Sequence, residues 1–98
     1  MFKMKKYYTP EEMQKIDFSE LTKEKLIDIV RDTNLSLDWL LEDGGLGFVQ
    51  EHAQEYKKIE NLLEYLKKYE LKLSTSEKKS IELLRRIYDT LIIPKSIN

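Results

Sequence analysis

The chain has no cysteine, three glycines and two prolines in 98 residues. Without cysteine there is no disulfide, no thiolate nucleophile and no cysteine-ligated zinc. So few glycines and prolines leave little to punctuate the chain, and β-branched residues never alternate with polar ones over a useful length. The pattern therefore reads as helical nearly throughout. Long apolar runs are lacking too. The longest, such as Leu91 to Ile93, fall far short of the ~20 residues that span a bilayer. The opening residues MFKMKKYY are basic but carry neither the apolar segment nor the small-residue cleavage site of a signal peptide. The expectation is a cytoplasmic protein with no membrane partner. Nor does one sign of charge dominate: 17 Lys and Arg stand against 18 Asp and Glu. That balance gives no overall attraction to phosphate, so DNA is left open but not favoured, and would need a local basic patch.

What is present suffices for one small globular domain over residues 1–98, at 41% hydrophobic and 36% charged. A first helix is expected at TPEE, with Thr9 as cap, Pro10 at the first helical position and Glu12 closing a capping box. Met13 and Ile16 give it an apolar face, and Phe18 anchors the link that follows. A second helix follows Thr22 and buries Leu26, Ile27, Ile29 and Val30. Asp32, Thr33 and Asn34 compete with the backbone for hydrogen bonds and are expected to end it. Ser36 then caps a short helix, LDWLLED, closed by Gly44 in the left-handed conformation. Trp39, Leu40, Leu41 and Gly44 are the predicted structural anchors of this piece.

From about Phe48 to Tyr69, Phe48, His52, Tyr56, Ile59, Leu63 and Leu66 recur at nearly coiled-coil spacing. A long helix is expected there. Ser74 and Glu77 are spaced as a capping box for a last helix carrying Ile81, Leu84, Tyr88 and Leu91, which Pro94 ends. The predicted fold is all-α, with three short N-terminal helices (residues 1–45) packed on a C-terminal antiparallel helical hairpin (residues 46–98).

The segment NLSLDWLLEDGG resembles the closing helices of Cro/CI-type (Xre-like) helix-turn-helix repressors. The counterparts of that family's pattern are Leu26, Ile29, Ser36, Asp38, Leu40, Leu41 and Gly44. In the family these helices complete the core beneath the DNA-reading helix. Met1 to Ile29, however, holds no tight turn and no run of Ser, Arg, Gln or Asn to face base edges. A second likeness lies in YYTPEEMQKIDFSELTKEKL, which is similar to the opening of excisionase-type proteins, where an aromatic precedes TPEE.

Chemistry-bearing constellations are sparse. His52 is the only histidine, with Glu51 and Glu55 beside it; with no second nitrogen or sulfur ligand a seam position is the better reading, and no metal or other cofactor is expected. The carboxylate pairs Glu11 and Glu12, Glu20 and Glu24, and Glu60 and Glu64 are interleaved with lysines, as on solvated helix faces. No catalytic residue is assigned, and the chain is read as a non-enzyme. Lys78, Lys79, Arg85 and Arg86 form two basic pairs seven residues apart, the one candidate nucleic-acid contact. Tyr65, Tyr69, Leu62, Leu83 and Ile92 are the candidate protein-interface residues. The apolar faces of the expected hairpin are wide enough to call for a partner, whether another protein or a second copy in a homodimer.

The function expected is that of a small regulatory or adaptor protein that binds a macromolecule. Its most concrete form, by resemblance, is a repressor-like transcriptional regulator from a bacterium or phage. The alternative is a small helical protein that inhibits or modulates one protein target without contacting DNA.

Overall fold

The computed structural model of the chain describes residues 10–92, and among them every regular element is helical. Helix α1 (Pro10–Lys15) begins at the proline, whose missing N–H costs nothing at a first helical position. Thr9, Tyr7, Tyr8 and Pro94 lie outside the described residues. Met13 is buried, and a single 3-10 turn (Phe18–Glu20) then inserts Phe18 into the core. Asp17 holds that turn by accepting hydrogen bonds from the Ser19 amide (3.0 Å) and hydroxyl (2.6 Å).

Helix α2 (Lys23–Glu42) starts at Thr22, whose hydroxyl accepts from the Lys25 amide at 3.2 Å. It does not stop at Asn34. The two helices expected from the sequence form one continuous 20-residue helix, and Ser36 is a buried residue in its interior rather than an N-cap. The reason is tertiary. Asn34 is turned inward, and its amide donates to the Ser80 carbonyl of another helix at 2.9 Å instead of to its own backbone. Gly44 does take the left-handed conformation, with φ +82°, just beyond the end of α2.

The long helix expected after the glycines is cut into three: α3 (Leu46–Glu51), α4 (Ala53–Tyr56) and α5 (Lys58–Leu66). His52 leaves helical geometry (φ −101°, ψ 21°), and a further turn falls at Lys57. These breaks let the chain bend, so that α4 meets α1 while α5 reaches α2 and the Phe18–Glu20 turn. The last four of the six predicted seam residues are core: Tyr56, Ile59, Leu63 and Leu66 are buried, whereas His52 is half-buried and Phe48 is 42% exposed. A 3-10 segment (Lys67–Lys72) leads to α6 (Thr75–Ile87), which opens on the capping box that Ser74 and Glu77 predict. A π turn (Tyr88–Ile92) follows and packs back toward α3.

The all-α class is as expected, but the expected hairpin is splayed. Helix α6 lies chiefly along α2, the longest element, while α5 packs on α1, α2 and the Phe18–Glu20 turn. At 20 residues α2 spans about 30 Å, enough to present apolar surface to both. One core cluster takes Met13, Leu26, Val30 and Leu37 from before the glycine turn and Ile59, Leu62, Leu84 and Tyr88 from after it. Burying each large side chain contributes roughly 1.5–3 kcal/mol. Trp39 is half-buried and, unlike Leu37, is not part of that cluster. With α2 continuous, its inward face runs through Leu26, Val30, Leu37 and Leu40, and Trp39 is rotated about 100° from Leu40. Leu40 is partly buried against the core, and Leu41 is half-buried.

Candidate functional site

The splay of α5 and α6 leaves a groove of about 280 Å³ between them. Its floor is apolar. Leu63 and Leu66, three residues apart and thus on one face of α5, meet Ile81 of α6 and Leu73, which is held in extended backbone before the Ser74 cap. Its rim is charged: Lys78, Glu82 and Arg85 follow one another at helical spacing along α6, with Lys67 and Glu70 opposite. Three cations thus stand against two carboxylates. The volume falls just below the ~300–1,000 Å³ typical of small-molecule pockets, a size suited to one or two side chains of a larger partner.

The four basic candidates are all exposed, but they divide. Lys78 and Arg85 belong to the groove rim, whereas Lys79 borders a shallow hollow with Ser76, Ser80 and Leu83 on another side of α6. Arg86, one heptad on from Lys79, follows that second stripe.

The interface candidates divide as well. Leu62 and Ile92 are fully buried and so present no surface for a partner. Leu62 is covered because α1, α2 and the Phe18–Glu20 turn all converge on α5, and Ile92 because the π turn bends inward. Leu83 is accessible, at 46% exposed. Tyr65 and Tyr69 are half-buried against the core. Tyr65 sets its ring edge-on to Phe18 at 6.5 Å, with the Lys68 ammonium 4.8 Å from its centroid.

His52 is half-buried, its ring tilted 43° to that of Phe48 with centroids 4.5 Å apart, and its Nδ1 lies 2.9 Å from the Glu55 carboxylate. Among the described residues no group of three or more His, Cys, Asp or Glu is gathered to hold a metal, and no described helix is long and apolar enough to cross a membrane. Of the carboxylate pairs, Glu60 accepts a hydrogen bond from the Tyr88 hydroxyl at 2.9 Å, and Glu64 meets Lys67 at 3.1 Å.

Where titration is perturbed, the causes are structural. Burial pushes the Tyr56 phenol up to about 12, and burial followed by the hydrogen bond to Glu60 raises Tyr88. The Ser74 amide holds the Glu77 carboxyl below its usual range, and the Ser19 hydroxyl does the same for Asp17. Each shift moves its group away from neutral pH, the reverse of what general acid–base catalysis needs.

The groove was not legible in the sequence. Its residues are scattered over Leu63 to Arg85 and are joined only by the splay; the one available signal was the spacing of Lys78, Glu82 and Arg85. Compared with known protein families, curated proteins and solved structures, the chain matches none of them.

Proposed function

We propose that the protein is a small non-enzymatic regulator or adaptor that binds another protein, seated in the groove between α5 and α6. The observation that carries this reading is an apolar floor, in which half-buried Leu73 and Ile81 offer surface above buried Leu63 and Leu66, ringed by charges of both signs. Such a rim selects a partner by charge matching, and the apolar floor supplies the affinity. Because cations outnumber carboxylates, the matching segment is a helix that offers one or two apolar side chains flanked by acidic residues. Glu70 and Glu82 within the rim disfavour a phosphate backbone at this site.

A second reading is kept because Lys78, Lys79, Arg85 and Arg86 are all exposed. It is the repressor-like transcriptional regulator implied by the resemblance to Cro/CI-type proteins, from a bacterium or phage.

The test is capture on the immobilised protein from a nuclease-treated bacterial lysate, run beside a Lys78→Glu/Arg85→Glu variant. The expected result is a protein retained by the parent chain and lost with the variant. Recovery of nucleic acid without nuclease, abolished by changing Lys78, Lys79, Arg85 and Arg86 together to Gln, would replace this reading with the second.

A further inference from the structure

The far side of α6 from the groove carries a different pattern. Along α2, Glu24, Asp28, Arg31, Leu35, Asp38 and Glu42 recur at steps of three and four, and all are exposed. Around a single leucine this stripe carries four carboxylates and one arginine, and so is acidic on balance. Along α6, Lys79, Leu83 and Arg86 recur at the same steps and are exposed too, a basic stripe around a single leucine. Among the described residues neither Lys79 nor Arg86 has an ion-pair partner.

The two stripes are neighbours. Arg31 Nη2 donates to the Ser76 hydroxyl at 3.3 Å and Asn34 to the Ser80 carbonyl at 2.9 Å. Ser76 and Ser80 line the same shallow hollow as Lys79 and Leu83. Leu35 is one turn on from Arg31, so the outer side of the α2–α6 seam displays Leu35 and Leu83, 42% and 46% exposed, with acids on one flank and bases on the other.

A face that is acidic on one half and basic on the other, with an apolar residue in each, is complementary to itself after a half-turn. We infer that a second copy of the chain docks here, α2 of each protomer lying on α6 of the other about a two-fold axis. Leu35 then meets the other copy's Leu83, and Asp28 and Asp38 face its Lys79 and Arg86. Within one protomer, among the described residues, no ion pair joins the two stripes; between two protomers Lys79 and Arg86 each gain a carboxylate. This face is separate from the groove, so self-association and partner binding stand or fall independently.

The experiment is sedimentation velocity from about 5 to 200 µM, the range where a small, partly charged contact of this kind associates. A dimer is expected that weakens between 50 and 500 mM salt, because exposed ion pairs are screened. Two charge-reversal variants follow, Asp28→Lys/Asp38→Lys and Lys79→Glu/Arg86→Glu, each checked for native helicity. Alone, each sets like charge against like and stays monomeric. Mixed in equal amounts they form a heterodimer, because each variant's α2 then faces an oppositely charged α6. Leu83→Gln, a single neutral change, weakens the parent dimer at least tenfold. A parent chain monomeric throughout the range overturns the inference, as do variants that dimerise as well as the parent or a mixture that remains monomeric.

Discussion

The Asn34 side-chain amide donates to the Ser80 carbonyl at 2.9 Å, tying the middle of α2 to α6 across 46 residues of sequence. This bond sits where the sequence suggests a helix end. Asn34→Asp removes the donor and sets a carboxylate oxygen against the carbonyl. Leaving a buried polar group so mismatched costs about 1–3 kcal/mol, read as a lower midpoint in urea unfolding at neutral pH.

The glycine turn separates three outcomes at neighbouring positions. Gly44 has φ +82°, so Gly44→Ala destabilises by about 1 kcal/mol through backbone strain alone. A Cβ on Gly45 would lie 2.6 Å from the Leu40 carbonyl oxygen, which also accepts the Gly45 amide, so Gly45→Ala costs more. Gly47 has open space and lies within α3, and Gly47→Ala stabilises by up to about 1 kcal/mol. Thermal unfolding should rank Gly47→Ala above Gly44→Ala, with Gly45→Ala the least stable.

At the start of α6, Ser74 accepts from the Glu77 amide at 3.1 Å and Glu77 accepts from the Ser74 amide at 2.8 Å. Ser74→Ala is expected to cost about 1 kcal/mol. The Glu77 carboxyl titrates below 4.5 in the folded chain. Its contribution is therefore present above that value and fades as pH falls through the lowered folded value. Glu77→Gln should lower stability at neutral pH, leave it little changed in acid, and so flatten the acid limb of a stability–pH curve.

Tyr88 is buried and donates to Glu60 at 2.9 Å, fastening the π turn to α5. Tyr88→Phe should lose about 0.5–1.5 kcal/mol. Because burial and Glu60 raise the phenol above its usual 10.0, the folded chain keeps a proton that the unfolded chain gives up. Stability is then full below pH 10 and falls as pH rises beyond it. The variant's stability should fall less steeply there, which urea titrations at pH 9 and 10.5 would show.

Leu62 and Leu71 test how far apolar residues differ by position. Leu62 is fully buried and Leu71 fully exposed. Leu62→Ala is expected to cost 2–5 kcal/mol, roughly the range for buried leucines, while Leu71→Ala should leave the unfolding midpoint almost unmoved.

Local interactions were legible in the sequence because their partners lie within one helical turn. The helical class, Pro10 opening α1, Thr22 capping α2, the Ser74–Glu77 box and the left-handed Gly44 all follow from residue type and short spacing. So does the burial of Leu26, Ile27, Ile29 and Val30, since α2 has an apolar side whatever packs on it. Tertiary structure decided what depends on distant neighbours. It drew Asn34 to Ser80 and so carried α2 past three residues that locally favour a stop, and it cut the expected long helix at His52. It also buried Leu62 and Ile92 while leaving Leu83 in solvent, although all three sit in apolar runs. Above all it splayed α5 from α6, because long α2 offered each a better partner, and both the groove and the α2–α6 face exist only through that choice.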